Sequence, residues 1–165
     1  MSRVQRKKLI TAVQWTEDST LKTEILGLRT PDSSIEYNQD KQKVTDVLGI
    51  THADIEKTEP TQTFDPHYLS DDSDFDAYLM KAAMENDIDA YNGAFDILVI
   101  DATQDSGSSG THAYYTVKHK GCTVAPTSLG GESYVGMPIE LDYSNDIVIG
   151  TVDKLANDLT FTAAS

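Results

Sequence analysis

Alternation of apolar and polar residues dominates this chain, and it is interrupted once by a helical period. It is cleanest from Tyr134 to Tyr143, where Val135, Met137, Ile139, Leu141 and Tyr143 fall on one face and Gly136, Pro138, Glu140 and Asp142 on the other. That period of two predicts a strand with one face buried. Phe95-Asp-Ile-Leu-Val-Ile-Asp-Ala102 is a more continuous apolar run behind the turn signal Asn92-Gly93, and predicts a second strand. Tyr114 to Lys120 and Ile147 to Asp153 predict two more. The breaks between these runs are the flexible loop Ser106–Gly110, a turn region through Pro126 and Gly130-Gly131, and the turn Ser144-Asn145-Asp146. Nearer the N-terminus, Ser34-Ile-Glu-Tyr-Asn38 and Lys43-Val-Thr-Asp-Val-Leu48 flank Gln39-Asp-Lys-Gln42, which predicts a hairpin. Gly49 to Thr61 is polar, with Pro60 near its end, and predicts a long loop between strands, a kind of loop that is often functional. The first thirty residues predict an extended arm with one strand around Leu9 to Trp15, and the residues from about 155 onward a loosely patterned tail. With no repeat and no boundary signal, the pattern predicts one domain over residues 1–165.

The helical interruption spans about Ser73 to Asn86. Phe75, Tyr78, Leu79, Ala82 and Asn86 fall at i, i+3, i+4, i+7 and i+11, a mostly apolar stripe. Ser73 predicts the N-cap, Asp76 its capping-box partner, and Asp74 places negative charge at the positive end of the helix dipole. A mainly β chain with one capped helix predicts a β-sandwich or barrel with the helix flanking it as a plug.

Charge changes this picture in one respect. The net charge of −14 divides into +4 over the first ten residues (Arg3, Arg6, Lys7, Lys8) and −18 over the other 155. A body this acidic repels nucleic acid, because phosphate binding depends on Lys and Arg, although it suits a surface past which DNA slides without sticking. The basic start is either a solubilising tail or a cationic arm that docks on an acidic copy of the same protein. The loop Gly49–Thr61 is either a tolerated insertion or a contact loop. Its mixture of Ile50, His52, Ile55, Glu56 and Lys57 is too amphipathic for a spacer and favours contact. The single cysteine, Cys122, excludes an intrachain disulfide and a Cys-based metal cluster. No signal-peptide core or membrane-length apolar stretch occurs, so a soluble protein made in the cytoplasm is expected.

Candidate chemistry fails at specific positions. Asp72-Ser-Asp74-Phe-Asp76 begins like a calcium loop, but Ala77 stands where glycine is needed and Ala83 where the closing glutamate is needed. Gly131-Glu-Ser133-Tyr-Val-Gly136 is out of register for a nucleophile elbow. His52, His67, His112 and His119 share no ligand spacing, and Cys122 reads as a small buried hydrophobe. The expectation is a protein without catalytic residues, metal or cofactor.

Read in order, the chain resembles the major tail tube proteins of long-tailed bacteriophages, especially those of phages with Gram-positive hosts. The stretches that carry the likeness are Ser34-Ile-Glu-Tyr-Asn38 with Val44-Thr-Asp-Val-Leu-Gly-Ile50, and Lys57-Thr-Glu-Pro-Thr-Gln-Thr-Phe-Asp-Pro66 leading into the helix. Phe95-Asp-Ile-Leu-Val-Ile100, Tyr114-Tyr-Thr-Val-Lys-His-Lys120 and Pro126-Thr-Ser-Leu-Gly-Gly-Glu132 follow, covering about residues 34–152. The resemblance implies a protomer that forms hexameric rings, stacked into a tube around a tape measure protein, joined to tail-end proteins and later conducting the genome. Contractile tails and secretion-system tubes share this fold, so the tail type stays open. In such a tube, Glu36, Asp46, Glu140 and Asp142, each on the polar side of its strand, are expected to line the lumen, the alternative being the outer surface. A virion structural protein is thus the leading expectation. A monomeric β-sandwich binding or decoration module is the alternative, and an enzyme the third.

Overall fold

The longest strand, Tyr114–Pro126, belongs to two sheets at once, and this double membership organises the molecule. The computed structural model describes all 165 residues. In chain order the strands are β1 (Leu9–Glu17), β2 (Thr20–Ile25), β3 (Ile35–Glu36), β4 (Asp40–Thr45), β5 (Thr51–Lys57) and β6 (Thr61–Phe64). After the helix α1 (Asp74–Met84) come β7 (Phe95–Asp105), β8 (Tyr114–Pro126), β9 (Ile139–Asp142), β10 (Ile147–Val152) and β11 (Phe161–Ala163). The first half of β8 pairs with β7 and β10, inside a sheet ordered β2-β1-β7-β8-β10-β11. Its second half pairs with β9, inside a sheet ordered β8-β9-β6-β3. Between the halves lies Gly121 at φ +68°, opposite a register break between Phe95 and Ile97. A left-handed glycine at a bulge is what lets one strand turn from one sheet into the next.

The two sheets enclose the main core. Val13, Trp15, Phe95 and Ile97 face inward from the first sheet, and Phe64, Val124, Ile139 and Leu141 from the second. The helix closes one side with Phe75 and Leu79, both fully buried. The Phe75 ring lies 5.5 Å from that of Trp15 and 6.0 Å from that of Phe95. The fold is therefore mainly β, a sandwich with one flanking helix; α1 follows the predicted period, while the strand expected over Tyr134–Tyr143 is confined to β9, Ile139–Asp142, and Val135 is exposed.

Four expectations are corrected. The arm of about thirty residues is confined to residues 1–8, because β1 and β2 form a hairpin within the first sheet. Thr11 to Trp15 is buried throughout, and its polar members are bonded: Thr11 Oγ1 donates to Gln62 Oε1 at 3.1 Å, and Gln14 Nε2 to Thr23 Oγ1 at 3.1 Å. The tail is likewise structured. β11 pairs with β10, Leu159 is buried beside Ala12, Leu98, Ile100 and Val152 on the back of the first sheet, and Asn157 Oδ1 accepts the Ile25 amide at 2.9 Å. The hairpin expected around residues 39–42 does not form: β3 pairs with β6, and β4 turns at Asp46–Ile50 into β5. The expected loop Gly49–Thr61 is consequently mostly strand.

Candidate assembly surfaces

β4 and β5 form a two-stranded sheet of their own, in which every strand residue is exposed. Its register places Lys41, Lys43, Thr45, Thr51, Ala53 and Ile55 on one face and Gln42, Val44, His52 and Asp54 on the other. One face thus carries cations and no acid. A carboxylate builds the turn: Asp46 accepts the amides of Leu48 (2.9 Å) and Ile50 (3.0 Å) and bonds His52 Nε2 at 2.8 Å. Those contacts, His52 foremost, hold the Asp46 carboxyl below its usual range. Gly49, at φ +80°, completes the turn. The result is a tip of Val47, Leu48 and Ile50 in water, with Val47 fully exposed and Leu48 80% exposed. An isolated two-stranded ribbon is at best marginally stable, and an apolar tip on it costs further free energy in solvent. The predicted contact residues Ile50, His52, Ile55, Glu56 and Lys57 all lie on this ribbon or in its turn. Glu56 is the extra residue at the register shift, and Lys57 pairs with Glu59 at 3.1 Å.

The four basic residues of the arm are not equivalent. Arg6 is used within its own chain, donating to Leu9 O at 2.5 Å and Ser33 O at 2.9 Å, so it fastens the arm to the body. Arg3, Lys7 and Lys8 are exposed and form no ion pair.

Three of the four predicted lumen acids share one surface. Register runs Glu36–Thr61–Asp142–Thr123 in one row and Thr63–Glu140–Ala125 in the next, all on the solvent face of the second sheet. Opposite this face, Gln62, Phe64, Ile139 and Leu141 point into the core. Asn38 locks the edge, its Nδ2 donating to Glu59 O at 2.9 Å and Thr61 Oγ1 at 3.1 Å. Asp46 does not join the row. It lies in the ribbon turn, because the strand expected through it ends at Thr45.

The sequence reading missed two arrangements. Asp76 is not a capping-box partner: Ser73 Oγ accepts the Asp76 amide at 3.0 Å, but the Asp76 carboxylate turns away to His67 Nε2 (2.7 Å) and the Ser70 amide (2.9 Å). Ser73 in turn donates to Glu24 on β2 at 2.7 Å, and burial pushes the Glu24 carboxyl up. The second is an apolar area on the first sheet, where Leu9, Ile147 and Ile149 are exposed beside half-buried Val99 and Val117. The alternation of single-sheet strands is visible in sequence, but which part of a sheet lacks a covering layer is not.

Elsewhere, a cleft of about 590 Å³ lies between residues 65–68 and 128–136 and is lined by Asp65, Tyr68, Glu132 and Tyr134. Its wall is a glycine turn. A side chain at Gly131 would meet Tyr134 O at 2.0 Å, and Gly130 and Gly136 bridge to each other. The four histidines each have a separate partner (Asp46, Asp76, Asp105 and the Ser144 carbonyl), and no three His, Cys, Asp or Glu side chains converge as a metal site would require. Cys122 is buried, and burial pushes its thiol up. No helix is long and apolar enough to cross a membrane.

No protein-family model and no curated protein sequence matches the chain. Among solved structures it is similar to the sheath/tube terminator of an extracellular contractile injection system in the extended state. The identity is 15%, with 90% of this chain and 97% of that one covered, at a TM-score of 0.47. It is also similar to the tube-terminating cap of the anti-feeding prophage, at 14% identity over 99% and 93% of the two chains, with a TM-score of 0.45.

Proposed function

We propose that this protein is a structural component of a phage-type tail, self-assembling into stacked rings that form the wall of the tail tube. The observation that carries the reading is the projecting ribbon. It is about 20 Å long at the usual rise per residue, contacts little but itself, and ends in solvent-exposed Val47, Leu48 and Ile50. The hexameric ring, the tape measure protein inside it, the tail-end partners, the virion location and the passage of DNA rest on the sequence resemblance. In this reading the sheet face that carries Glu36, Glu140 and Asp142 faces the bore and repels phosphate, Arg3, Lys7 and Lys8 meet an acidic neighbour, and no residue is catalytic.

The test is to replace Asp46–Ile50 by a two-residue Asn-Gly turn and shorten the flanking strands. The expected outcome is a protomer with an unchanged melting temperature that no longer polymerises. Normal polymers from this variant would remove the ribbon from assembly. A tube wall stacks ring on ring, whereas a tube end forms one ring and stops, so the length of the assemblies separates these two roles.

A further inference from the structure

The inner face of the first sheet is larger than the sheet that covers it. Its cross-strand rows run Ile147–His119–Ile97–Val13 and Ile149–Val117–Val99–Thr11. At one end the cover is complete: Val13 and Ile97 are fully buried, and Gln62 closes over Thr11. Toward β10 it fails. Val99 and Val117 are only half-buried, while Ile147 and Ile149 stay 49% and 47% exposed. Ile147 and Ile149 therefore stand exposed beside the partly covered Val99 and Val117 where the second sheet stops short, an unfavourable exposure unless something docks there.

The flanks of this patch are acidic. Asp101 occupies the adjoining row with Tyr115 and Leu9, and Asp146 sits in the turn before β10. The ribbon offers a complement: an apolar tip whose one carboxylate, Asp46, is engaged by the Leu48 and Ile50 amides and His52, and behind it a face with Lys41 and Lys43. In a chain of net charge −14, a face that carries Lys41 and Lys43 beside an apolar tip suits an apolar patch flanked by Asp101 and Asp146. Within one protomer the ribbon and the patch do not meet, since the ribbon contacts little but itself.

We infer that the patch formed by Val99, Val117, Ile147 and Ile149 receives the ribbon tip Val47–Ile50 of a second copy of this chain. The contact joins two different surfaces, so it is heterologous and propagates into a ring or a filament instead of closing as a dimer. It rests on the reading of the ribbon as an assembly element, and adds where that element docks.

The experiment uses two single-cysteine variants in a Cys122→Ala background, Leu48→Cys and Ile149→Cys, purified separately, mixed and mildly oxidised. A disulfide-linked pair containing one of each is expected. It should exceed the yield from Leu48→Cys mixed with a remote exposed control, Asp158→Cys. In parallel, Ile149→Asp is expected to raise the protein concentration at which polymers appear by about tenfold or more, with the protomer melting temperature unchanged. Control-level cross-linking together with normal polymerisation of Ile149→Asp would overturn the docking site, while leaving the ribbon reading to the trimmed-ribbon variant. Normal polymers from that variant as well would overturn both.

Discussion

Asp76 shows how much structure one side chain can carry. Its carboxylate bonds the His67 ring and the Ser70 amide, while its own amide is capped by Ser73, which reaches on to Glu24. The set ties the loop before the helix, the helix start and β2 together. Asp76→Ala leaves the buried His67 ring without its partner, at a cost of about 1–3 kcal/mol, while the amide of exposed Ser70 turns to water. A urea titration reads this as a lower midpoint with an unchanged slope, and an unchanged midpoint would show the pair to be incidental. Glu24 gives a pH signature. Burial raises its carboxyl above the ordinary 4.5, so the folded protein holds that proton more tightly than the unfolded chain. Its contribution is full below 4.5 and declines as pH rises through the higher folded value. Glu24→Gln is expected to flatten the loss of stability on the alkaline side of pH 4.5, and an identical pH profile would contradict the assignment. The sequence placed Ser73 correctly because capping is local. It misassigned Asp76 because His67, nine residues away, competes for the carboxylate.

At the level of elements, local signals were legible where they matched local structure. The stripe of α1 and the alternation of β9 needed nothing beyond their own residues. The β1–β2 hairpin was hidden because its turn residues, Asp18 and Ser19, adopt φ of +49° and +64° without a glycine to announce them. The ribbon was misregistered for the opposite reason: the polar run at 39–42 looked like a turn, whereas the true turn at Asp46–Ile50 carries Val47 and Leu48 and looked like strand. Apolar residues at a turn contradict the usual pattern, and that contradiction marks the functional candidate. The C-terminal segment was illegible because it depends on a close approach. A side chain at Gly150 would meet the Thr162 carbonyl at 2.2 Å and the Phe161 ring at 2.7 Å. Gly150→Ala is therefore expected to detach β11 and uncover Leu159, with a loss of about 1–3 kcal/mol. Hydrogen exchange is the direct check, since the Ala164 amide, bonded to Ile149 O at 2.9 Å, should lose protection. Retained protection would mean that the strand tolerates a side chain there.

The whole molecule combines an acidic body with an arm of which three cations are free. Each exposed contact of this kind is worth only about 0–1 kcal/mol and is weakened by salt, so the arm acts on assembly and not on folding. Reversing Arg3, Lys7 and Lys8 to glutamate should slow polymerisation without changing the melting temperature. Arg6→Glu, by contrast, should loosen the arm from Leu9 and Ser33 within the protomer. Equal polymerisation rates for the triple variant and the parent would leave the arm a solubilising tail. The acid face of the second sheet was legible as polar alternation, but its direction in an assembly belongs to a level above the single chain. Electron microscopy of the purified protein at high concentration addresses that level directly. The account predicts stacked rings with Glu36, Glu140 and Asp142 lining the bore and the ribbon tip seated on a neighbouring copy. A protein that stays monomeric at every concentration and salt, or a tube whose bore is neutral or basic with all three carboxylates facing outward, would contradict it.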